Sequence, residues 1–245
     1  MSRALLINPN TSTWVTRLLA ERVGAALGPD VELVAATARF GASYIASETA
    51  YTVAAHAVLD AYACHGAGCH AVLVGCFGDP GVDALRELCG VPVTGLAEAS
   101  MREAASSGRF AIVTGGAAWR PMLARLAVSL GLQAVLERIV IVERSGAQLA
   151  ADPLAARGWL GEACRSAAAG GRVGSVILGG AALAGMAADI AAGVDVPVID
   201  SVDAGARALA ASLAGPASGP GPRDGARYEG LSAELTALLR GPLPS

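Results

Sequence analysis

The chain has no lysine; all 18 of its basic residues are arginines. This excludes a pyridoxal phosphate Schiff base and a phosphate-binding P-loop, since both need a lysine. Histidine is almost as scarce. His56, His65 and His70 fall in one stretch that reads as a helix running into a turn, which leaves few ways to build a Ser-His-Asp site. Only 16% of residues are charged, the net charge is −3, and there is no basic block with which to hold nucleic acid. No apolar run reaches the roughly 18–20 residues that a membrane-spanning helix requires. The opening MSRALLINPNTS turns polar too soon for a signal peptide. These absences predict a cytoplasmic protein that acts on a small molecule, with neither nucleic acid nor membrane as a partner.

What is present is apolar and periodic. The chain is 53% hydrophobic, and its short β-like runs alternate with helical patterns. ALLIN (4–8), VELVAAT (31–37), AVLVGC (71–76) and VPVTGL (91–96) read as strands, with helices over about 14–27, 46–66, 81–89 and 98–107. The pattern then restarts. RFAIVTGG (109–116), RIVIVE (138–143), SVILGG (175–180) and VPVID (196–200) read as strands. Helices follow over about 119–130 and 153–169, up to about 192, and over 202–214. Strands alternating with helices specify parallel sheets flanked by helices. The expected fold is α/β with two pseudo-symmetric lobes, 1–108 and 109–214, and an active site in the cleft between them. Residues 215–245 read as a Pro/Gly linker and a C-terminal helix that packs back on the first lobe. So apolar a two-lobed chain is expected to form homo-oligomers.

The halves match in detail. INPN (7–10) corresponds to VTGG (113–116), and GVPVTGLAEA (90–99) to DVPVIDSVDA (195–204). VLVGCFGDPG (72–81) corresponds to VILGGAALAG (176–185), which sets Gly180 where the first copy has Cys76.

Parallel sheets bind ligands at the carboxyl ends of their strands. The four strand-end turns therefore supply the candidate site: Asn8, Thr11 and Ser12; Cys76, Phe77 and Gly78; Thr114, Gly115 and Gly116; Gly180, Ala181 and Ala182. Tyr44, in the loop after the second strand, is a further candidate for substrate contact. Cys76 is the candidate catalytic residue. Its place between a strand and a helix is expected to favour a thiolate and lower its pKa. Cys64, Cys69, Cys89 and Cys164 sit within or at the ends of helices and read as inert. An odd number of cysteines argues against a disulfide framework. In CHGAGCH (64–70) the two cysteines fall about 140° apart around a helix, so no metal site is expected. No GxGxxG follows the first strand, so no NAD site is expected either.

Together, INPNTS (7–12), GCFGDPG (75–81), VPVTGLAEA (91–99), RFAIVTGG (109–116) and LGGAALAGM (178–186) carry a resemblance to the aspartate/glutamate/hydantoin racemase superfamily, on its hydantoin racemase side. The resemblance spans about residues 3–212. It implies two pseudo-symmetric α/β lobes and cofactor-independent proton transfer at a carbon beside a carbonyl. In such racemases one cysteine removes the proton and a second, across the cleft, returns one to the other face. Cys76 matches the first, and Gly180 stands where the second would be. A racemase or epimerase acting on a hydantoin or amino-acid derivative is the reading the resemblance favours. The superfamily also includes an arylmalonate decarboxylase that needs one cysteine as proton donor, in the second lobe. A decarboxylase with its thiol in the first lobe should give product of the opposite handedness. Cis–trans isomerisation and a non-catalytic binding homologue are the remaining readings.

Overall fold

The computed structural model describes residues 1–144, 146–215 and 226–240. Two four-stranded sheets, every neighbouring pair parallel, carry the chain. The first runs in the order β2-β1-β3-β4, with β1 Ser2–Asn8, β2 Val31–Thr37, β3 Ala71–Val74 and β4 Val93–Gly95. The second repeats that order as β6-β5-β7-β8, with β5 Phe110–Gly115, β6 Leu136–Val142, β7 Ser175–Gly179 and β8 Val198–Asp200.

Register sets the site. β1 pairs with β3 from Ala4–Ala71 to Ile7–Val74, so Asn8 and Gly75 leave the sheet side by side. β5 pairs with β7 from Phe110–Ser175 to Thr114–Gly179, so Gly115 and Gly180 do the same. Equivalent turns therefore emerge at equivalent places in both lobes.

Alternation along the strands divides the core. Leu6 and Leu73 of the first sheet and Phe110, Ile112 and Ile177 of the second point into one shared core. Helices α1 (Thr13–Leu27), α4 (Leu96–Ser106), α5 (Trp119–Ser129) and α9 (Ser201–Leu213) fill it with Leu19, Met101, Leu123 and Leu209. Helix α9 packs on both α1 and α4 and touches β3, while α4 reaches β7, so each lobe helps cover the other's sheet. The outward residues Leu5, Ile7, Val72 and Val74 pack under α2 (Glu48–His65) and α3 (Val82–Leu88). Ala111, Val113, Val176 and Leu178 pack under α7 (Pro153–Ala168) and α8 (Met186–Ala191). Both sheets are covered on two faces, which is why their strands read as continuous apolar runs.

Two features depart from the sequence reading. The segment after β7 is not one helix. Ala181–Leu183 forms a 3₁₀ turn, and Gly185, at φ 84, resets the chain before α8. A short helix, α6 (Gly146–Ala151), occupies a stretch to which the sequence assigned no element. Helix α10 (Ala233–Arg240) packs against α2, and Glu234 shares Arg39 with Asp60. The linker positions 216–225 lie outside the described residues. Among the described residues, no helix is long and apolar enough to cross a membrane.

Candidate active site

The turns after β1, β3, β5 and β7 converge on a cavity of about 60 Å³ between the lobes. Two aromatic side chains lock it. Phe77 leaves the first-lobe turn and lies over Gly179 of the second lobe, where any Cβ would fall within the ring. Trp119, the first residue of α5, lies in the reverse sense over Gly78, again where no Cβ fits. These are close approaches that only glycine permits.

Cys76 is buried at 7% exposure and lines this cavity. Its N–H donates to the Val74 carbonyl at 3.0 Å, and its own carbonyl accepts from Gly78 at 3.0 Å and Asp79 at 3.2 Å. The turn is tight enough to hold Asp79 at φ 58. It is paid for by a side-chain anchor: the Asp79 carboxylate accepts from the Ala97 and Glu98 N–H groups at 2.9 and 2.6 Å, at the amino end of α4. Burial raises the Asp79 carboxyl to about 7, against the pull of those two donors.

The thiol is correspondingly reluctant to ionise. Burial pushes Cys76 well above the usual thiol range, and the Asp79 charge pushes it further. This corrects the expectation of a lowered pKa. Five residues separate Cys76 from the start of α3 at Val82, so the sulfur does not sit on the N-terminus of that helix. Cys76 rests as a proton-bearing thiol.

The second-lobe turn inverts this arrangement. Gly180 adopts φ 145, ψ 126, a conformation L side chains rarely take, and its N–H donates to Ser201 Oγ at 3.2 Å. The carboxylate that ties turn to helix now sits on the helix: Asp200 caps α9 through Val202 N–H at 2.9 Å and holds Gly185 N–H at 2.7 Å. The equivalent first-lobe position is Gly95, which is bare because the Asp79 carboxylate fills the space of its Cβ. The same joint is made in both lobes with its polarity reversed.

The remaining candidates divide by place. Tyr44, Phe77, Thr114, Gly115, Gly180, Ala181 and Ala182 line the cavity with Cys76. Asn8 lies behind the wall, fully buried, with Nδ2 at 3.0 Å from each of Asn10 Oδ1, Ser12 O and Thr16 Oγ1. Ser12 caps α1, and Thr11 pins the following loop by donating to Ala42 O at 3.1 Å. Gly78 and Gly116 support Trp119 instead of forming wall. The cavity adds Asn10, which lies within the strand end 8–12, together with Val15, Ile45, Gly75, Trp119, Gly179 and Leu183. Val15, Ile45 and Trp119 had no signal in the sequence. Among the described residues no charged side chain lines the cavity. Arg120, just past the third turn, is spent on the Ile139 carbonyl. Cys69 and Cys89 lie in the outer core of the first lobe and Cys164 in that of the second.

Comparison with known proteins agrees with this geometry. The family described as Asp/Glu/Hydantoin racemase matches residues 5–209. The chain is 29% identical over 204 residues to a hydantoin racemase from Pseudomonas sp. (strain NS671), covering 82% of each. The solved structure of allantoin racemase from Klebsiella pneumoniae matches with a TM-score of 0.86 and 28% identity, over 97% of this chain and 99% of that one. A liganded double mutant of arylmalonate decarboxylase matches at a TM-score of 0.64 and 21% identity, over 86% of this chain and 93% of that one, a likeness of fold alone. The chain belongs to the Asp/Glu/hydantoin racemase family and is an isomerase of that type.

Proposed function

We propose that this isomerase inverts the carbon beside a carbonyl in a hydantoin-type ring, with Cys76 as the acid–base residue and no cofactor. The observation that carries this is a single thiol lining a cavity with no charged side chain in its wall. A glutamate or aspartate zwitterion would meet no counter-ion there. A hydantoin is neutral and brings its own amide N–H and C=O groups. Those match the Thr114 hydroxyl, the Asn10 amide and the peptide groups of Ala181 and Ala182, which open the 3₁₀ turn where N–H groups lack partners within it. Peptide dipoles aimed at the carbonyl oxygen would stabilise the enolate that forms when the neighbouring C–H bond breaks. The hydantoin racemase and allantoin racemase relatives act on this ring by their names, which supports the substrate class.

Chemistry follows from the resting thiol. Abstraction needs the thiolate, and Cys76 is held protonated, so activity should climb with pH through the neutral range and beyond. The test is chiral analysis of single-enantiomer 5-substituted hydantoins and allantoin, with aspartate and glutamate as controls, using wild type and Cys76→Ala. Cys76-dependent inversion of a hydantoin alone supports the reading; inversion of the amino acids, or none that needs Cys76, overturns it.

A second reading has one observation of its own. A thiol that rests protonated, in a cavity whose wall also includes Gly180, is already a complete donor for an enolate generated by loss of CO₂. Release of CO₂ from a substituted malonate by wild type, and not by Cys76→Ala, would favour a decarboxylase.

A further inference from the structure

We infer that Tyr44 is the second acid–base residue, acting on the substrate face opposite Cys76; this rests on the racemase reading above. Inverting a stereocentre through a planar enolate requires a proton carrier on each face. The position that mirrors Cys76 is Gly180, which has no side chain, so the second carrier must enter the cavity from another element.

The cavity wall narrows the choice. Among the described residues, its protic side chains besides Cys76 are Asn10, Tyr44, Thr114 and Trp119. Amide and indole N–H groups act as hydrogen-bond donors, and an alcohol is a far weaker acid than a phenol. A phenol, ordinarily near 10, stands closest to a thiol, ordinarily near 8.5.

Placement agrees with chemistry. Tyr44 belongs to the first lobe, in loop 38–47 between β2 and α2, yet its hydroxyl crosses to the second. A Cβ built on Gly116, just past the end of β5, would lie 3.6 Å from Tyr44 Oη. The phenol therefore reaches the second-lobe side of the cavity, beside the strand whose neighbour β7 ends at Gly179, one residue before Gly180. The loop that delivers it is fixed at several points. Arg39 grips Asp60 through two bonds of 2.8 and 2.9 Å, Ala38 N–H donates to Asn8 O at 2.9 Å, and Ala42 O accepts from Thr11 N–H at 3.1 Å. Phe40 sits edge-on to His56 with centroids 5.0 Å apart.

The protons balance. In one direction the Cys76 thiolate takes the ring-carbon proton and forms S–H, while the C–H electron pair moves into the enolate. The Tyr44 hydroxyl then delivers its proton to the opposite face and becomes phenolate. In the other direction the phenolate abstracts and the thiol donates. The two enzyme forms differ by the position of one proton and interconvert through solvent.

The test follows each enantiomer of a 5-substituted hydantoin in D₂O, by NMR for deuterium uptake and by chiral chromatography for inversion. In Tyr44→Phe, inversion should fall at least 100-fold in both directions. The enantiomer whose proton faces Cys76 should still take up deuterium with retention, and the other should not exchange. Cys76→Ala should give the complementary pattern. Thr114→Val should slow uptake and inversion together and leave their ratio unchanged. Inversion by Tyr44→Phe within threefold of wild type, equal loss of uptake for both enantiomers with normal folding by circular dichroism, or a collapse of the inversion-to-uptake ratio in Thr114→Val would each overturn the assignment. If wild type shows no Cys76-dependent uptake at all, the racemase reading fails first, and Tyr44 with it.

Discussion

The turns that follow β3 and β7 occupy matching places in matching lobes, and they solve the same joint with opposite polarity. After β3 the carboxylate is in the turn, as Asp79, and reaches the N–H groups that open α4. After β7 it is on the helix cap, as Asp200, and reaches back to the turn at Gly185. Either wiring ties a strand-end turn to the helix that follows the neighbouring strand. Only the first buries a titratable group beside a thiol, and only the second frees its turn to adopt the glycine-only backbone of residue 180. The chemical asymmetry of the cavity is therefore built into the way each turn is anchored, beyond the exchange of one side chain.

The largest expected effect is on the thiol itself. Cys76→Ala should lower racemisation by about 10²–10⁴-fold, the usual worth of a positioned acid–base group, with an unchanged circular dichroism spectrum; a loss below tenfold would remove Cys76 from the chemistry. Next comes the interlock. Gly179→Ala drives a methyl into the Phe77 ring, and overpacking of this kind costs about 1–3 kcal/mol, read as a lower urea midpoint at constant slope. An unchanged midpoint would show that Phe77 has room to swing away.

A smaller effect reads the first-lobe anchor by pH. The Asp79 carboxyl titrates near 7 in the folded chain and at about 3.9 unfolded, so the unfolded state gives up its proton first as pH rises. The stability that goes with the protonated carboxyl is complete below about pH 4 and is lost as pH climbs through about 7. Urea unfolding of wild type against Asp79→Asn should therefore show wild type losing ground across that window. A gain for wild type would mean that the two α4 donors outweigh burial. The smallest effect is expected at the bridge between lobes from Arg22 to Asp203, at 2.6 and 2.8 Å. Both side chains are partly exposed, so Asp203→Asn should cost less than about 1 kcal/mol by the same measurement.

Much of this was legible in the sequence because it is local. Apolar runs at strand length and the repeated GVPV/DVPV segments place both sheets and their strand ends. Cys76 is visible because a strand stops there and a glycine-rich turn begins. Contacts between lobes have no local signal. Trp119 reads only as the start of a helix, and its partner Gly78 lies 41 positions earlier. Ile45 and Val15 enter the wall through the folding of their loop and helix. The thiol's acidity was misjudged for the same reason: position in a turn is local, whereas burial and the Asp79 charge depend on the assembled cavity.

The central claim is that Cys76 moves a proton at the carbon beside the carbonyl. The most direct measurement is deuterium uptake into one enantiomer of a 5-substituted hydantoin in D₂O, by NMR, for wild type and Cys76→Ala from neutral to alkaline pH. The account predicts uptake by wild type that rises with pH and, for the enantiomer whose proton faces the thiol, disappears in the variant. For that enantiomer, equal uptake in both proteins, or none in wild type at any pH, would contradict it.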